Sequence, residues 1–477
     1  MRKGAAFMPA SVPSERPNVI VFVGDDHGYG DLSCMGSPTV RTPRLDALAA
    51  SGALLTSWYS NSPVCSPARA ALLSGRYPGN ASVRSILQGY RTTPGLSPKV
   101  PTLATALSDL GYHTELIGKW HLGLASESRP ENHGFARTFG HLAGAVDYYS
   151  HIHYSPNNRR VTMNGQTYLG TPLHDLWEDG AEVYRDGEYL TEIIAERAVH
   201  AVRRAASSDD PFFLYVPFNA PHYPLHAPDK YKERFAHLPW EQMIMAAMIS
   251  AMDDAIGDVL DEVARQQLTE NTIVLYMSDN GPSREIRNWM NGAQTPYRGS
   301  STGGFKGHKF SLFEGGIRVP GIVSWPAAIP AGQVIDEPLA AMDVFPAVLS
   351  AAGGDPTRYE LDGVDILPCL TDGAPSPHEY LFWEQGDQTA VRRGRWKLVL
   401  NGQLEEGLPP EKEVFLADLA ADPGEQHNLA ADYPGVVDEL TALATRWREG
   451  IESRWADEWL PAIPDADVHV FPPGVSK

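Results

Sequence analysis

The sequence lacks several features that would each assign it to a class of protein. It has three cysteines, Cys34, Cys65 and Cys369, in 477 residues, and such a sparse, odd set is no disulfide framework. No apolar run approaches the length of about 20 residues that a membrane-spanning helix needs. Positive charge is scarce, with 39 Lys and Arg against 59 Asp and Glu. The net charge of −20 argues against nucleic acid and anionic membrane surfaces as partners.

The first residues lack a convincing secretory signal. Two basic residues precede an apolar stretch, residues 4–8, which is short and is followed at once by proline. We therefore expect residues 1–16 to be a disordered leader and the protein to be cytoplasmic, with a periplasmic or secreted location left open. The length of the chain predicts a catalytic domain at residues 17–365 and a smaller domain at 366–477.

Two stretches that are typical of buried strands are each followed by oxygen-bearing side chains. A continuous β-branched and aromatic run precedes Asp25 and Asp26, and a second run, residues 272–277, precedes Asp279 and Asn280. In open α/β sheets, ligands bind at the carboxyl ends of the strands. Adjacent carboxylates repel each other unless a cation lies between them, and a hard divalent cation prefers such oxygens. The alternative for each cluster is a solvated acidic turn.

Another candidate site is a loop that ends in Cys65 and leads into a predicted helix. Pro67 suits a first helical turn, residues 68–73 favour a helix, and Gly75 predicts its end. Cys65 would then lie at the helix N-terminus, with Arg69 one turn further on the same face. Free backbone N–H groups and the helix dipole favour an anion there. The alternative is a core cysteine beside a surface arginine.

Basic side chains follow other predicted strands. Lys119 and His121 stand after a short strand, and residues two apart on an extended segment face the same way. His222 follows the apolar run at residues 211–217, and Lys309 precedes a Glu-Gly-Gly segment. The residue types alone assign no role to any of these four side chains.

Periodicity predicts the remaining elements. Residues 240–267 indicate one or two helices, and residues 339–351 a further helix. Beyond Gly353, short alternating segments are followed by a helix at residues 436–451. We therefore expect a smaller C-terminal α+β domain of antiparallel strands and one helix.

The motifs, taken in order, resemble those of the type I, formylglycine-dependent sulfatases of the alkaline phosphatase superfamily. Cys65-x-Pro-x-Arg69 resembles the signature whose cysteine is oxidised to formylglycine after translation. The acidic pairs resemble the two metal motifs, and Gly-Lys119-Trp-His121 and Lys309-x4-Glu-Gly-Gly-x-Arg-x-Pro resemble two further motifs. By spacing, Lys309 takes the lysine position and Lys306 lies one turn too early.

The resemblance implies a fold, an activity and a set of site residues. The fold is α/β, with an alkaline-phosphatase-like, mostly parallel mixed sheet flanked by helices. The activity is hydrolysis of a sulfate monoester by a sulfuric ester hydrolase. The implied catalytic residues are Cys65, Arg69, Lys119, His121, His222 and Lys309. One Ca²⁺ would be held by Asp25, Asp26, residue 65, Asp279 and Asn280. A formylglycine-generating enzyme would be a partner during maturation.

The substrate is expected to be a small sulfated molecule, in particular a carbohydrate. Residues 282–304 lie between Asn280 and Lys309 and are polar and glycine-rich, which favours a substrate rim. We predict that Arg284, Arg287 and Trp289 bind the sugar, by paired hydrogen bonds and by stacking. The alternative is a mobile surface loop.

Two other functions stay open from the sequence. One is hydrolysis of a phosphonate or phosphate monoester within the same superfamily, although a two-metal phosphatase would need a second cluster of His and Asp ligands. The other is a non-catalytic protein that keeps Cys65 unmodified and binds sulfated ligands. The set of basic residues argues against pure binding, because binding requires no proton donor.

Overall fold

The computed structural model describes residues 15–163, 166–285 and 297–462, with the backbone alone for residues 154–171. The described strands are β1 (Asn18–Gly24), β2 (Ala53–Leu55), β3 (Trp58–Tyr59), β4 (His113–Lys119), β5 (Arg137–His141), β6 (Ile152–Met163), β7 (Gln166–His174), β8 (Trp177–Glu178), β9 (Ala181–Glu182), β10 (Phe212–Pro217), β11 (Thr272–Ser278), β12 (Gly321–Ser324), β13 (Gln333–Ile335), β14 (Leu339–Ala340), β15 (Leu381–Gln385), β16 (Gln388–Arg393), β17 (Trp396–Gly402) and β18 (Lys412–Asp418). The helices are α1 (Pro43–Ser51), α2 (Cys65–Ser74), α3 (Leu103–Asp109), α4 (Leu190–Ala205), α5 (Asp229–Lys232), α6 (Trp240–Arg265), α7 (Glu314–Ile317), α8 (Val344–Ala351), α9 (Leu367–Thr371), α10 (Pro434–Arg454) and α11 (Leu460–Ala462).

A ten-stranded mixed sheet forms the centre of the larger domain. Its strand order is β13-β2-β12-β11-β1-β10-β4-β5-β8-β9. The central strands β11, β1, β10, β4 and β5 run parallel, and antiparallel pairs occur toward both edges. This arrangement confirms the predicted α/β fold with a mostly parallel sheet.

Helices cover both faces of the sheet, as the continuous apolar pattern of β1 predicts. Val19, Val21 and Val23 belong to one buried cluster, and Ile20 and Phe22 belong to a second cluster on the opposite face. A strand that is buried on both faces needs apolar residues at every position. None of the helices in the described ranges is long and apolar enough to cross a membrane.

The C-terminal part forms the predicted antiparallel sheet and helix. Strands β15, β16, β17 and β18 pair in sequence order, and α10 covers this sheet. The division of the chain at residue 365 stays a prediction, and most of the predicted leader lies outside the described residues.

The helix predicted for residues 339–351 is wrong in its first part. Leu339 and Ala340 form β14, which pairs in parallel with Trp58 and Tyr59, and α8 begins only at Val344. Pairing with a distant strand overrides the local helical pattern. The predicted helical region at 240–267 is a single helix, α6.

A buried ion cluster joins the C-terminal sheet to helix α7 of the larger domain. Lys397 of β17 is fully buried, and its Nζ lies 2.8 Å from Glu314 Oε1 and 3.1 Å from Glu425 Oε1. Tyr59 donates a hydrogen bond of 2.6 Å to the other oxygen of Glu314. Burial raises the pKa of Glu425 to about 7, although Lys397 opposes that effect. Glu314, the glutamate of the Glu-Gly-Gly segment, therefore contacts the C-terminal domain.

Replacing Lys397 with methionine is expected to destabilise this contact. The substitution keeps the approximate side-chain length and removes the cation that lies between two buried carboxylates. Glu314 keeps Arg318 at 3.4 Å, and Glu425 loses its lysine, which costs about 3–5 kcal/mol. Urea unfolding of the variant measures the effect. The control is Lys412→Met, which removes an exposed lysine from the neighbouring strand. Equal stabilities of the two variants would contradict a role for the cluster.

Candidate active site

The acidic motifs meet at the carboxyl edge of the central sheet. Asp25 and Asp26 directly follow β1, and Asp279 directly follows β11. The register pairs Gly24 with Ser278, so the two motifs lie side by side. Asp26 has a left-handed backbone, with φ of 62°, and its N–H donates to Asp279 Oδ1 over 3.1 Å. The two strand ends thus bring these side chains together.

Cys65 occupies the N-terminus of α2, as predicted. Gly75 ends this wholly buried helix in a left-handed conformation, with φ of 67°. The Cys65 thiol donates to Asp25 Oδ1 over 3.6 Å. One turn later, Arg69 Nη2 lies 2.7 Å from Asp279 Oδ2 and 3.7 Å from Asp25 Oδ1. The helix thus places a thiol and a guanidinium beside the acidic strand ends.

Two lysines complete the ring of buried charges. Lys119, the last residue of β4, lies 2.5 Å from Asp25 through its Nζ. Lys309 Nζ lies 3.1 Å from Asp26 Oδ2, 2.8 Å from Glu285 Oε2 and 3.4 Å from His222 Nε2. Both side chains are almost wholly buried. Each lysine therefore holds one of the adjacent aspartates.

The predicted metal ligands fit a cation only partly in the arrangement observed. Ligand atoms of Asp25, Asp26, Cys65 and His222 lie within 4.8 Å of one another. Asp279 is engaged by Arg69. Asn280 donates to Asp26 over 2.6 Å, while its own Oδ1 is buried and accepts no hydrogen bond. A buried acceptor without a partner is unfavourable, and a cation beside the carboxylates would satisfy it.

The charge balance also indicates a missing cation. Among the described residues of the site, three cations, Arg69, Lys119 and Lys309, face four carboxylates, Asp25, Asp26, Asp279 and Glu285. Burial, with the neighbouring Asp279, raises the pKa of Asp25 to about 8 against the opposing effect of Lys119. Burial also raises the pKa of Asp26. A divalent cation would give the pocket the net positive charge that an anionic substrate needs.

Burial disfavours the charged form of both predicted catalytic histidines. Burial, reinforced by Lys309, lowers the pKa of His222 well below its usual value. Burial, reinforced by Lys119, does the same for His121. The 2.6 Å contact between His222 Nδ1 and the Tyr223 carbonyl assigns the proton to Nδ1. The 3.2 Å contact of His121 Nε2 with the Leu87 carbonyl assigns its proton to Nε2 and leaves Nδ1 as a buried free base.

The sequence argument for His121 is wrong in one respect. Strand β4 ends at Lys119, and His121 adopts a left-handed backbone with φ of 53°. The two side chains therefore do not share one face of an extended segment. Gly144 packs against the His121 ring. A side chain at position 144 would clash with the imidazole, because its Cβ would lie 2.5 Å from the ring.

The predicted sugar-binding residues have different outcomes. Arg287 and Trp289 lie outside the described residues. Arg284 is half-buried. Its pKa is lowered mainly by burial and also by the neighbouring charge of Arg298. Arg284 does not line the pocket beside Asp26, so this pocket gives the prediction no support. The described residues that line this pocket are Asp26, Pro221, His222, Tyr223, Leu225, Met245, Ser283, Glu285 and Tyr297.

Glu285 is a site residue that the sequence did not single out. Its Oε1 accepts a hydrogen bond from the Tyr223 hydroxyl over 3.2 Å, and its Oε2 is paired with Lys309. Although burial would raise the pKa of this carboxyl, Lys309 holds it below its usual value. Only its position five residues after Asn280 could have indicated this role.

Comparison with known proteins gives consistent matches. The family model described as Sulfatase matches residues 17–354. N-acetylgalactosamine-6-sulfatase of Canis lupus familiaris is 31% identical, over 82% of this chain and 73% of its own length. Arylsulfatase J of Mus musculus is also 31% identical, over 90% of this chain and 75% of its own length. A solved structure described as Ps i-CgsB in complex with k-i-k-neocarrahexaose superposes with a TM-score of 0.78 and 27% identity, covering 95% of this chain and 99% of that one.

Proposed function

The chain belongs to the sulfatase family and is a sulfuric ester hydrolase, and on that premise we propose that it removes sulfate from a carbohydrate, using formylglycine at position 65 and one Ca²⁺. The names of its relatives support the substrate class, since they include an N-acetylgalactosamine-6-sulfatase and a structure bound to a neocarrahexaose. The pocket beside Asp26 supports it further, because two tyrosines and two carboxylates line that pocket and suit a sugar ring.

The state of Cys65 supports a modified nucleophile. Burial raises the pKa of its thiol well above the usual value, even with Lys119 and Lys309 nearby. A neutral, buried thiol is a poor nucleophile. Formylglycine at this position would supply a hydrated aldehyde, one hydroxyl of which attacks sulfur while the other permits the aldehyde to re-form. Since Cys65 is only 1% exposed, the formylglycine-generating enzyme would act before the chain is fully folded.

The cation is the part of the proposal that depends on the charge balance. Asp25, Asp26, Asp279 and Asn280 would hold it, and the unpartnered Asn280 Oδ1 is the observation that carries this assignment. Carboxylate and amide oxygens favour Ca²⁺ over a soft metal. When bound, the cation would polarise a sulfate oxygen.

The surrounding residues would orient the substrate and move protons. Arg69 and Lys119 would hold the sulfate oxygens and the nucleophile. Asp279 would accept the proton of the attacking hydroxyl. Lys309 would stabilise and protonate the departing alkoxide. His222, whose unprotonated Nε2 lies 3.4 Å from Lys309 Nζ, would orient that lysine. His121 would accept the proton of the second hydroxyl at its free Nδ1.

A substrate panel tests the proposed activity. Protein with formylglycine confirmed by peptide mass spectrometry would be assayed with sulfated sugars, a small aryl sulfate, a phosphate monoester and a phosphonate monoester. We expect the highest kcat/KM on a sulfated sugar. Preference for the phosphonate would favour the other activity of the superfamily. Tight binding of sulfated sugars without turnover of any ester would favour a binding protein.

Lys309→Ala is expected to lower kcat, and the size of the decrease should depend on the leaving group of the substrate. A sugar alkoxide is a poor leaving group and depends on neutralisation, so its rate should fall by about 10²–10⁴-fold. Nitrophenolate leaves readily, and the loss on nitrophenyl sulfate should be much smaller. Lys306→Ala is the matched control, because Lys306 pairs with Glu411 of the C-terminal part. Equal losses on both substrates would place Lys309 in sulfate binding.

A further inference from the structure

A second group of potential metal ligands lies at the base of the β6–β7 hairpin. His151 directly precedes β6, and His174 is the last residue of β7. The antiparallel register pairs Ile152 with His174, which places the two histidines next to each other. Asp186 approaches them from the turn before α4. Nitrogen and oxygen atoms of the three side chains lie within 4.8 Å of one another.

Among the residues that the structure describes, no side chain or backbone group is within hydrogen-bond geometry of the two imidazoles. His151 is completely buried, and neither of its ring nitrogens makes a hydrogen bond. The backbone of Glu188 lies near the ring and opposes the lowering of its pKa by burial. Both ring nitrogens of His174 are likewise buried and unpartnered, and its ring stacks on Tyr184 with centroids 4.2 Å apart. Buried polar atoms are nearly always paired in folded proteins, so these nitrogens require a ligand.

We propose that His151, His174 and Asp186 bind one Zn²⁺, at a site separate from the catalytic cation. Two imidazoles and one carboxylate are a common set of zinc ligands. Ca²⁺ requires more oxygen ligands than this one carboxylate provides. A water would complete the tetrahedral coordination, since three protein ligands leave one position open. The histidines are 23 residues apart in the sequence, so no short zinc motif exists there.

The contacts of this segment predict what the zinc would do. Tyr148 lies three residues before His151, and its hydroxyl is shared between the carbonyls of Asn219, at 2.8 Å, and His222, at 2.9 Å. On the other side, Gly187 N–H donates to the Tyr149 carbonyl over 2.8 Å. Zinc would therefore join the hairpin, the turn before α4 and the segment that supports His222. Its main effect would be on stability, because a ligand that binds only the folded state stabilises that state.

Metal analysis of the full-length protein tests the site. The wild-type protein would be stripped of metal, incubated with zinc and desalted, and its zinc content and melting temperature measured. The main variant is Asp186→Asn, which changes an exposed side chain and leaves the core intact. His174→Ala is the second ligand variant. His200→Ala, an exposed histidine of α4, is the matched control. Asp26→Asn tests whether zinc binds in the active site instead.

We expect one zinc per wild-type chain and a rise in melting temperature on adding zinc. Both effects should disappear in Asp186→Asn and His174→Ala and persist in His200→Ala and Asp26→Asn. Absence of zinc from the wild-type protein, with no zinc-dependent rise in melting temperature, would overturn the proposal. Loss of zinc in Asp26→Asn with retention in Asp186→Asn would also overturn it, by assigning the metal to the active site. Neither result would bear on the sulfatase reaction, which is assayed separately.

Discussion

Cys65→Ala is expected to abolish turnover while the protein stays folded. Loss of a covalent nucleophile costs on the order of 10⁴-fold or more in kcat. The effect would be this large because the described neighbours of Cys65 provide no replacement: Asp25 is held by Lys119, and Asp279 by Arg69. An unmodified thiol could not substitute for formylglycine either. Its attack on sulfur would leave a thiosulfate ester, with no second hydroxyl to expel the sulfate.

The control for this variant is Cys34→Ala, which removes a half-buried thiol beside Asp46 of α1. It should retain full activity and the same formylglycine content. Peptide mass spectrometry of residue 65 must accompany each assay, because activity should scale with the converted fraction. Full activity in protein whose residue 65 is entirely unmodified cysteine would contradict the proposed nucleophile.

Much of the fold and part of the site could be predicted because their signals are local. The run before Asp25 predicts a buried strand, and parallel pairing then places its carboxyl end beside that of β11. Pro67 and Gly75 fix the bounds of α2, and with them the positions of Cys65 and Arg69. In each case a few adjacent residues determine where the functional side chain lies.

Other parts of the site depend on contacts between distant segments. Glu285 is one acidic residue in a polar loop, and only its position between Tyr223 and Lys309 gives it a role. His151 and His174 become neighbours through the register of a hairpin, which composition does not determine. The left-handed turn at His121 likewise has no signature in the sequence.

Motif resemblance also identifies residues without revealing what they do. Glu314 and Arg318 belong to the segment that resembles a sulfatase motif, and Lys309 of the same segment reaches the active site. Glu314 instead contacts Lys397 of the C-terminal sheet, and Arg318 pairs with Glu314 at 3.4 Å. One motif thus combines a residue of the site with residues that hold the domains together, a distinction that requires the structure.

Removal of Ca²⁺ is expected to lower both activity and thermal stability. Without the cation, the adjacent carboxylates of Asp25 and Asp26 repel each other, and the buried Asn280 Oδ1 has no partner. A ligand present at about 1,000 times its Kd stabilises the folded state by about 4 kcal/mol, so the melting temperature should fall by several degrees on chelation. Activity should fall to background, since the pocket would lose its net positive charge.

The measurement is best made in the Asp186→Asn background, so that the proposed zinc does not contribute to the change. Calcium added back should restore activity and melting temperature, and magnesium should restore them less well, because it prefers fewer protein oxygens and keeps its waters. In Asp26→Asn, which lacks one proposed ligand, chelation should change the melting temperature little. Unchanged melting and activity after complete chelation, with no calcium found by elemental analysis before it, would contradict the site. In that case Lys119, Lys309 and Arg69 alone would have to bind the sulfate, although four carboxylates oppose them.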